Sequence, residues 1–519
     1  MLTLNFGTIF AFFMAALLVY VTNRVFVAPY RFLSLYRKHK HVKTIIRSRL
    51  APNLKMLFQD AATKGDFYYS MKEMIKKDPD IKAFVIVNGP ILSINVTDPD
   101  LLKEFYKLQQ QQPELYEKSF GGGLMKMFLQ DGLFSAEGNV WKKHRKIDSQ
   151  AFHFEFVRSQ VNDIRKISKH FIGKIDPKEQ LSAIDFFQNI TGEVVCRTFF
   201  GSGISSQTLN GKSFCAILAE IMADIGEETM TPMHMLFNKY YVKYFPSKRV
   251  KDILKRMEEF KQVCRNIVAE RKNQMKKGEF PPEAEHDLLH LLLKYQQENP
   301  HENFDDDEIV HEFITFFMAG LDTTGHLLGM ATYYISRTPG VKEKLREEIK
   351  SVFGENNHEE IPVTYEDLSK LEYMLCVFNE TLRLATPATT LAPRAVKKAH
   401  RLGDLSIPKK AVVLPIYIFN HTNPKYFENP TEFRPDRWRN STGKVMSSHP
   451  QNPFIFTPFS TGSRNCIGQH MAMLEAKIIL SEFMRVVDFE VPEDYTLKMT
   501  RRFLYEPLDE LKLNIRKIN

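Results

Sequence analysis

The chain has 519 residues, of which 43% are hydrophobic and 26% are charged. This composition excludes a disordered chain, a collagen, a low-complexity scaffold and a polytopic transporter. Nine of the 71 basic residues precede Asp60, the first acidic residue, so the 62 that remain equal the 62 acidic residues in number. The net charge of +9 therefore belongs to the N-terminal segment and gives no reason to expect a nucleic-acid partner.

The N-terminal segment is long and apolar. The 18 residues from Leu4 to Val21 carry no charge, and ten of them are Leu, Ile, Phe or Val. As a helix they would be about 27 Å long, close to the ~30 Å core of a bilayer. A cleaved signal peptide is the alternative, but no basic residue precedes the segment and Arg24 follows it within one turn. We expect residues 1–28 to form an uncleaved single-span anchor, with residues 29–519 on the cytosolic side.

Two elements of the body have clear ends. Apolar segments on either side of Asn88-Gly89-Pro90 predict a β-hairpin. An acidic start at Asp305, some 30 residues of helical spacing and the stop at Pro339-Gly340 predict one very long helix. We expect residues 29–519 to form a single mainly α (α+β) domain, rich in helices and carrying small β-sheets.

Cysteine use points to one loop. The five cysteines lack any CxxC pair and are odd in number, which is typical of a protein that faces a reducing compartment. One of them lies in Phe459-Ser-Thr-Gly462-Ser-Arg464-Asn-Cys466-Ile-Gly468, which fits F-x-x-G-x-R-x-C-x-G. The two glycines allow a tight turn and the close approach of a flat ligand. A helix predicted after the loop would stabilise a thiolate at Cys466.

The other positions of the loop suit the same ligand. Arg464 can face a ligand carboxylate, and Phe459 can cover the sulfur. The alternative is a buried free cysteine without function, the commonest fate of a lone cysteine.

This loop resembles the haem-ligand signature of the cytochrome P450 family, the haem-thiolate monooxygenases. The resemblance implies the family's fold, haem b (iron protoporphyrin IX) as cofactor, and Cys466 as the axial ligand of its iron. An axial thiolate favours O–O cleavage, so that one atom of O2 enters the substrate and the other leaves as water.

A second motif pairs Glu380 with Arg383 on one face of a helix. Such pairs are usually solvated surface bridges. The resemblance implies instead that Arg437 joins them in a buried structural network that fixes the loop leading to Cys466. Asp436 and Trp438 stand where the family more often has Glu and Phe.

A third motif, residues 319–324 (Ala-Gly-Leu-Asp-Thr-Thr), lies midway along the long helix. Its small residues would let the backbone approach a porphyrin face, and a threonine hydroxyl can take a carbonyl from the helix ladder. An acid and an alcohol beside dioxygen can relay protons. By the resemblance, Thr323 is the oxygen-side hydroxyl, Asp322 the relay acid and Ala319 a haem contact. A kink in a buried helix is the alternative.

Three residues elsewhere complete the expected haem site. Trp141 and Arg145 share a helical face at i, i+4. The resemblance implies that this pair and Arg394 bind haem propionates. A surface cation–π pair is the alternative for Trp141 and Arg145.

Electrons must come from another protein, because the chain lacks flavin and NAD motifs. The resemblance implies an NADPH-dependent flavoprotein reductase in the endoplasmic reticulum membrane, with cytochrome b5 as a second candidate donor. Lys142, Lys143 and Lys146 either contact such an acidic partner or face solvent.

The substrate is expected to be lipophilic: a fatty acid, a sterol or a xenobiotic. Candidate pocket walls are residues 116–134, 218–245 and 389–391. Within the second wall, residues 230–245 could also dip into the membrane or pack in the core. A thiolate-haem isomerase or dehydratase and a non-catalytic haem sensor are the rival functions, and neither needs the Asp322-Thr323 pair.

Overall fold

The computed structural model describes residues 6–45, 54–88, 91–119, 123–201, 208–209, 211–279, 287–354, 362–390 and 392–518. Helices dominate, which confirms the predicted fold class. They are α1 (Phe6–Thr22), α2 (Ala28–Ser34), α3 (Leu54–Lys64), α4 (Tyr69–Lys77), α5 (Pro99–Gln111), α6 (Gly123–Leu129), α7 (Gly138–Ala151), α8 (Phe154–Ser159), α9 (Val161–Gly173), α10 (Ala183–Phe200), α11 (Phe214–Thr229), α12 (Pro232–Phe237), α13 (Lys239–Tyr244), α14 (Lys248–Lys277), α15 (Leu288–Glu298), α16 (Asp306–Arg337), α17 (Val341–Phe353), α18 (Tyr365–Ser369), α19 (Glu372–Ala385), α20 (Ile418–His421) and α21 (Gln469–Val486).

The strands are short. They are β1 (Val42–Ile45), β2 (Ala83–Asn88), β3 (Ile91–Val96), β4 (Tyr116–Lys118), β5 (Leu181–Ser182), β6 (Thr208–Leu209), β7 (Lys212–Ser213), β8 (Arg394–Val396), β9 (His400–Leu402), β10 (Leu405–Ile407), β11 (Val412–Pro415), β12 (Val487–Glu490), β13 (Met499–Arg501), β14 (Tyr505–Pro507) and β15 (Lys512–Lys517). The largest sheet has the order β1-β2-β3-β11-β8-β4, and a three-stranded sheet has the order β12-β15-β5.

The predicted hairpin is confirmed. Strands β2 and β3 pair antiparallel, with Asn88 opposite Ile91. Gly89 and Pro90, on which the turn was predicted, lie outside the described residues. In the large sheet β1–β2 and β3–β11 are parallel, whereas the other pairs are antiparallel.

The predicted long helix is α16, and it runs through the centre of the core. Asp305 caps its N-terminus by accepting from the Glu308 N–H at 2.8 Å, and Glu308 bonds back to the Asp305 N–H at 3.2 Å. Its 32 residues give a length of about 48 Å. Because most of its residues are buried, α16 packs on neighbours from both halves of the chain.

Helix α10 crosses α16 closely. A Cβ on Gly320 would stand 2.5 Å from the Val195 Cγ2 atom, and one on Gly325 would stand 2.8 Å from the Gln188 Cα atom. The missing side chain at Gly320 therefore lets α10 pack closely against α16.

The N-terminus is helical from Phe6 to Ser34, with a π-helical stretch at Asn23–Val27 between α1 and α2. Ile9–Ser34 is long and apolar enough to cross a membrane, and none of its apolar window is buried. The Tyr20 hydroxyl donates to the Leu236 carbonyl at 3.3 Å, so the segment contacts α12. Residues 1–5 of the predicted anchor lie outside the described residues.

Candidate active site

The loop before α21 is built as a tight turn. Gly462 has φ +77° and Ser460 has φ +60°, so the chain reverses here in left-handed backbone. The Cys466 N–H then donates to the Phe459 carbonyl at 2.9 Å, which closes the loop. Gly468 has φ −85° and caps α21, so the expected conformational need for glycine there is wrong.

Two groups act on the Cys466 thiol. Burial raises the pKa of this thiol, while a hydrogen bond from the Gly468 N–H and the charge of Arg145 act in the opposite direction. Although protein surrounds it, the sulfur-bearing side chain keeps accessible surface. The arrangement therefore offers a soft sulfur ligand that a bound group can reach, and the Gly468 N–H and Arg145 are placed to favour its thiolate form.

The face of α16 that carries residues 319–323 also keeps accessible surface. Ala319 is exposed although nearly all of the preceding three turns are buried. The Thr323 hydroxyl donates to the Ala319 carbonyl at 2.8 Å, as predicted, while the helix stays continuous. The Phe152 ring joins the two parts of the site. It lies 5.3 Å from the Phe316 ring of α16 and 3.6 Å from where a Gly468 Cβ would stand.

Asp322 is half-buried beside α10. Its Oδ1 accepts from the Gln188 Nε2 at 3.4 Å. Burial, and then the charge of Glu506, raise the pKa of Asp322 to about 7. A carboxyl group with this pKa both holds and releases a proton near neutral pH.

Trp141 and Arg145, which share one helical face, contact different partners in the structure. Arg464 lies 4.2 Å over the Trp141 ring and donates to the Ala136 carbonyl and to Glu137, at 2.8 and 2.9 Å. Arg145 instead bonds the Asn465 carbonyl at 3.0 Å and its side-chain oxygen at 2.9 Å. The cationic partner of Trp141 is therefore Arg464, and Arg145 braces the residue next to Cys466.

Positive charge gathers around Arg464. Arg394 is 1% exposed and donates to the Ala392 carbonyl at 3.0 Å, and burial lowers its pKa to about 10. Lys118 bonds the Phe134 carbonyl. Burial, followed by the charges of Arg464 and Arg394, holds the pKa of Lys118 well below its usual value. No motif surrounds Lys118, so the sequence predicted no charged role for it within the expected pocket wall of residues 116–134.

The predicted structural network is present. Arg383 bonds both oxygens of Glu380, at 2.9 and 2.8 Å, and Arg437 adds a bond of 2.8 Å to the Glu380 Oε1 atom. The Trp438 Nε1 donates to the Glu380 Oε2 atom at 2.9 Å, a contact that sequence reasoning missed. The departure from Phe to Trp at this position therefore adds a donor to the network.

The cytochrome P450 family model matches residues 53–511, which is most of the chain. This protein belongs to the cytochrome P450 family. It is similar to cytochrome P450 4V2 of Mus musculus (29% identical, covering 71% of this chain and 70% of the relative). It is also similar to cytochrome P450 72A15 of Arabidopsis thaliana (29%, 78% and 76%) and to 7-deoxyloganic acid hydroxylase of Catharanthus roseus (30%, 80% and 78%).

Membership makes this P450 a monooxygenase and haem its cofactor. The residues fit such a group. Cys466 presents an accessible thiol, and the buried Arg394 lies near the half-buried Lys118 and Arg464 in a cation cluster that the exposed Glu137 balances. A cluster with more cations than acids suits the two carboxylates of a porphyrin.

The expected pocket walls are less well supported. The Thr389 side chain is buried and its hydroxyl is bonded to the Tyr68 hydroxyl at 2.9 Å. Leu391 and residues 120–122 lie outside the described residues. In the second wall, Met230, Met233, Tyr240, Tyr244 and Phe245 are exposed on the surface.

Proposed function

We propose that this P450 inserts one atom of O2 into a lipophilic substrate, a fatty acid, sterol or xenobiotic, using electrons from an NADPH-dependent flavoprotein reductase. The accessible Cys466 thiol, held by the Gly468 N–H beside Arg145, carries the proposal. When bound, haem b would supply the activation of dioxygen that a thiolate ligand favours.

Each site residue has a proposed role. Cys466 would bind the iron, Phe459 would cover the sulfur, and Ala319 and Gly468 would lie against the haem. Asp322 and Thr323 would hold and pass protons on the oxygen side. Four residues would position the propionates: Trp141, Arg145, Arg394 and Arg464. The network of Glu380, Arg383 and Arg437 is structural.

The test of this proposal is the spectrum of the reduced protein with carbon monoxide. We expect the thiolate-type band from the wild type, its loss in Cys466→Ser, and a globin-type band in Cys466→His. Cys215→Ser, at a half-buried cysteine on α11, is the matched control and should keep the wild-type band. A colourless protein, or a globin-type band from the wild type, would refute the proposal.

Turnover separates the rival functions. The purified full chain, with reductase, NADPH and laurate, cholesterol or 7-ethoxycoumarin, should form an oxygenated product containing one atom from labelled O2. An isomerase or dehydratase would form product without NADPH, and a sensor would form no product and consume no NADPH. The Asp322-Thr323 pair supports the monooxygenase function over both rivals. Asp322 accepts from Gln188, and Thr323 donates to the Ala319 carbonyl.

Fewer lysines than expected are free to bind the reductase. Lys143 bonds both oxygens of Glu308, at 2.7 and 2.9 Å, so its charge is already paired. Lys142 and Lys146 remain exposed beside it. We expect Lys142→Glu/Lys146→Glu to slow reduction by the reductase. High salt should slow it in the wild type as well. A reduction rate that does not depend on salt would show that the reductase does not bind through these lysines.

We place the protein in the endoplasmic reticulum membrane, with residues 1–28 as anchor, the domain of residues 29–519 in the cytosol, and cytochrome b5 as a second donor. The exposed apolar residues of α12 and α13 lie beside α1, since Tyr20 and Phe237 stack at 6.4 Å. Both surfaces can therefore meet one bilayer. A chain lacking residues 1–28 should bind vesicles weakly, and Met233→Glu/Tyr244→Glu in it should abolish binding. If the chain lacking residues 1–28 does not bind vesicles at all, only the anchor contacts the membrane.

A further inference from the structure

Helix α10 meets α16 at the turn that carries Asp322. The contact is close on both sides: a Cβ on Gly192 of α10 would stand 3.1 Å from the Leu321 side chain, and one on Gly325 of α16 would stand 2.7 Å from the Gln188 side chain. Small shifts of α10 are therefore passed directly to residues 319–325 of α16.

One hydroxyl of α10 bonds the backbone of this turn. The fully buried Thr191 donates to the Leu321 carbonyl at 2.7 Å, the shorter of its two contacts; its own-helix contact to the Gln188 carbonyl is 3.2 Å. The Leu321 carbonyl belongs to the peptide whose N–H is that of Asp322. Holding this carbonyl fixes the plane of that peptide and with it the direction of the Asp322 side chain.

One amide of α10 bonds the side chain itself. The Gln188 Nε2 lies 3.4 Å from the Asp322 Oδ1 atom. Two titratable groups on other elements also face Asp322: Glu506 of β14, which is paired with Arg502 at 2.8 Å, and the thiol of Cys215 on α11. Neither donates a hydrogen bond to Asp322, whereas Gln188 does.

We propose that Thr191 and Gln188 are positioning residues, which hold the Asp322 peptide and carboxyl group so that protons reach the oxygen side of the haem. This inference rests on the proposed function. It assigns proton delivery to two adjacent helices, α10 and α16, and makes Thr191 act on the reaction without touching substrate or haem.

Thr198 provides a matched control. It is buried on the same helix, and its hydroxyl donates at 2.7 Å to the Val194 carbonyl of α10 itself. Thr191→Val and Thr198→Val therefore each replace a buried hydroxyl by a methyl group and lose its contact with a carbonyl of α10, but Thr191→Val alone also loses a bond to α16.

The experiment uses full-length holoenzyme with reductase and NADPH, without added substrate. The fraction of NADPH electrons recovered as hydrogen peroxide is measured, because peroxide takes two protons per O2 and water takes four. We expect this fraction to rise about two- to tenfold in Thr191→Val, to return to the wild-type value in Thr191→Ser, and to stay unchanged in Thr198→Val.

Gln188→Met gives an independent readout. Because the lost amide stabilises the charged carboxylate, the pH limb of NADPH oxidation should move to higher pH, and the peroxide fraction should rise.

Amide hydrogen exchange at residues 319–325 should also increase in Thr191→Val, with no reductase present.

The results decide the proposal in every case. Equal peroxide fractions for Thr191→Val and Thr198→Val, or no rescue by Thr191→Ser, would overturn the role of Thr191. If Thr191→Val loses haem, an unshifted pH limb in Gln188→Met would overturn the whole proposal, and a shifted limb would support it. A wild type that lacks the thiolate-type carbon monoxide band would instead show that the proposed function has failed.

Discussion

Arg383 holds both carboxylate oxygens of Glu380 where neither side chain has any exposed surface. The same guanidinium donates to the carbonyls of His421, Pro430 and Glu432, at 2.9, 2.7 and 3.0 Å. This pair therefore ties α19 to the long segment that leads from α20 towards the Cys466 loop. A buried pair of this kind holds the two segments together, because removing one partner leaves the other as an uncompensated buried charge.

Arg383→Ala should lower the free energy of unfolding by about 3–5 kcal/mol, because Glu380 would keep a buried charge without its main partner. We expect loss of haem incorporation, measured as haem per polypeptide. Arg434→Ala is the control, since that side chain pairs with the exposed Glu428 at the surface. Normal haem content in Arg383→Ala would contradict the structural role.

Gly462→Ala should strain the Cys466 loop by about 1–2 kcal/mol, because φ +77° is costly for any residue with a Cβ. The expected result is faster haem loss and a lower melting temperature of the holoenzyme. Gly173→Ala, at the open end of α9, meets no atom within 4 Å and should be neutral or slightly stabilising. Equal behaviour of the two variants would show that the turn tolerates a side chain.

Lys118→Met should affect the two forms of the protein in opposite directions. Without haem, the variant removes a buried cation that Arg464 and Arg394 repel, so the haem-free chain should melt at a higher temperature. With haem, we expect the lost charge to be one that attracts the propionates, so transfer of haem to an acceptor protein should be faster. Lys126→Met, which breaks the exposed pair with Asp131, should change neither property. A parallel change in both forms would place Lys118 outside the propionate site.

His144 should make stability depend on pH. It is fully buried between Glu308, at 3.0 Å, and Glu312, at 2.5 Å. Burial disfavours its cation, but hydrogen bonds to these two carboxylates outweigh burial and raise its pKa from 6.5 to about 9. The buried Asp148, whose pKa burial and Glu312 raise, and Lys143 on Glu308 complete the charged groups around it.

Because the folded-state pKa of His144 is raised, its stabilisation is complete below pH 6.5 and is lost as the pH rises through about 9. His144→Gln should therefore lower the melting temperature most below this window and least above it. His170→Gln, at an exposed site of α9, is the control. A melting difference that does not change with pH would contradict the charged pairing.

Asp322 should give the reaction its pH dependence. Since burial raises its pKa to about 7, the fraction that carries a proton falls as the pH rises through that value. The rate of product formation should fall over the same range, and Asp322→Asn should lose about 10²-fold in rate together with this limb. Glu506→Gln removes the second cause of the shift, so the limb should move to lower pH. A limb that Asp322→Asn retains must belong to another group.

Residue patterns alone were enough to predict the long helix, the hairpin, the apolar N-terminal segment and the turn around Cys466. Each depends on residue spacing within one helix or one loop, where local backbone geometry decides which side chains share a face. The same holds for Glu380 and Arg383, which one helical turn brings together.

The partners that these residues contact depend on how the chain folds. Trp141 stacks on Arg464 rather than pairing with Arg145, Lys118 joins Arg394, and Gly320 serves α10. Each contact joins segments far apart in the chain, and its strength comes from burial that no local pattern reveals. Desolvation and packing are properties of the assembled core, so they appear once α10, α16 and the Cys466 loop are brought together.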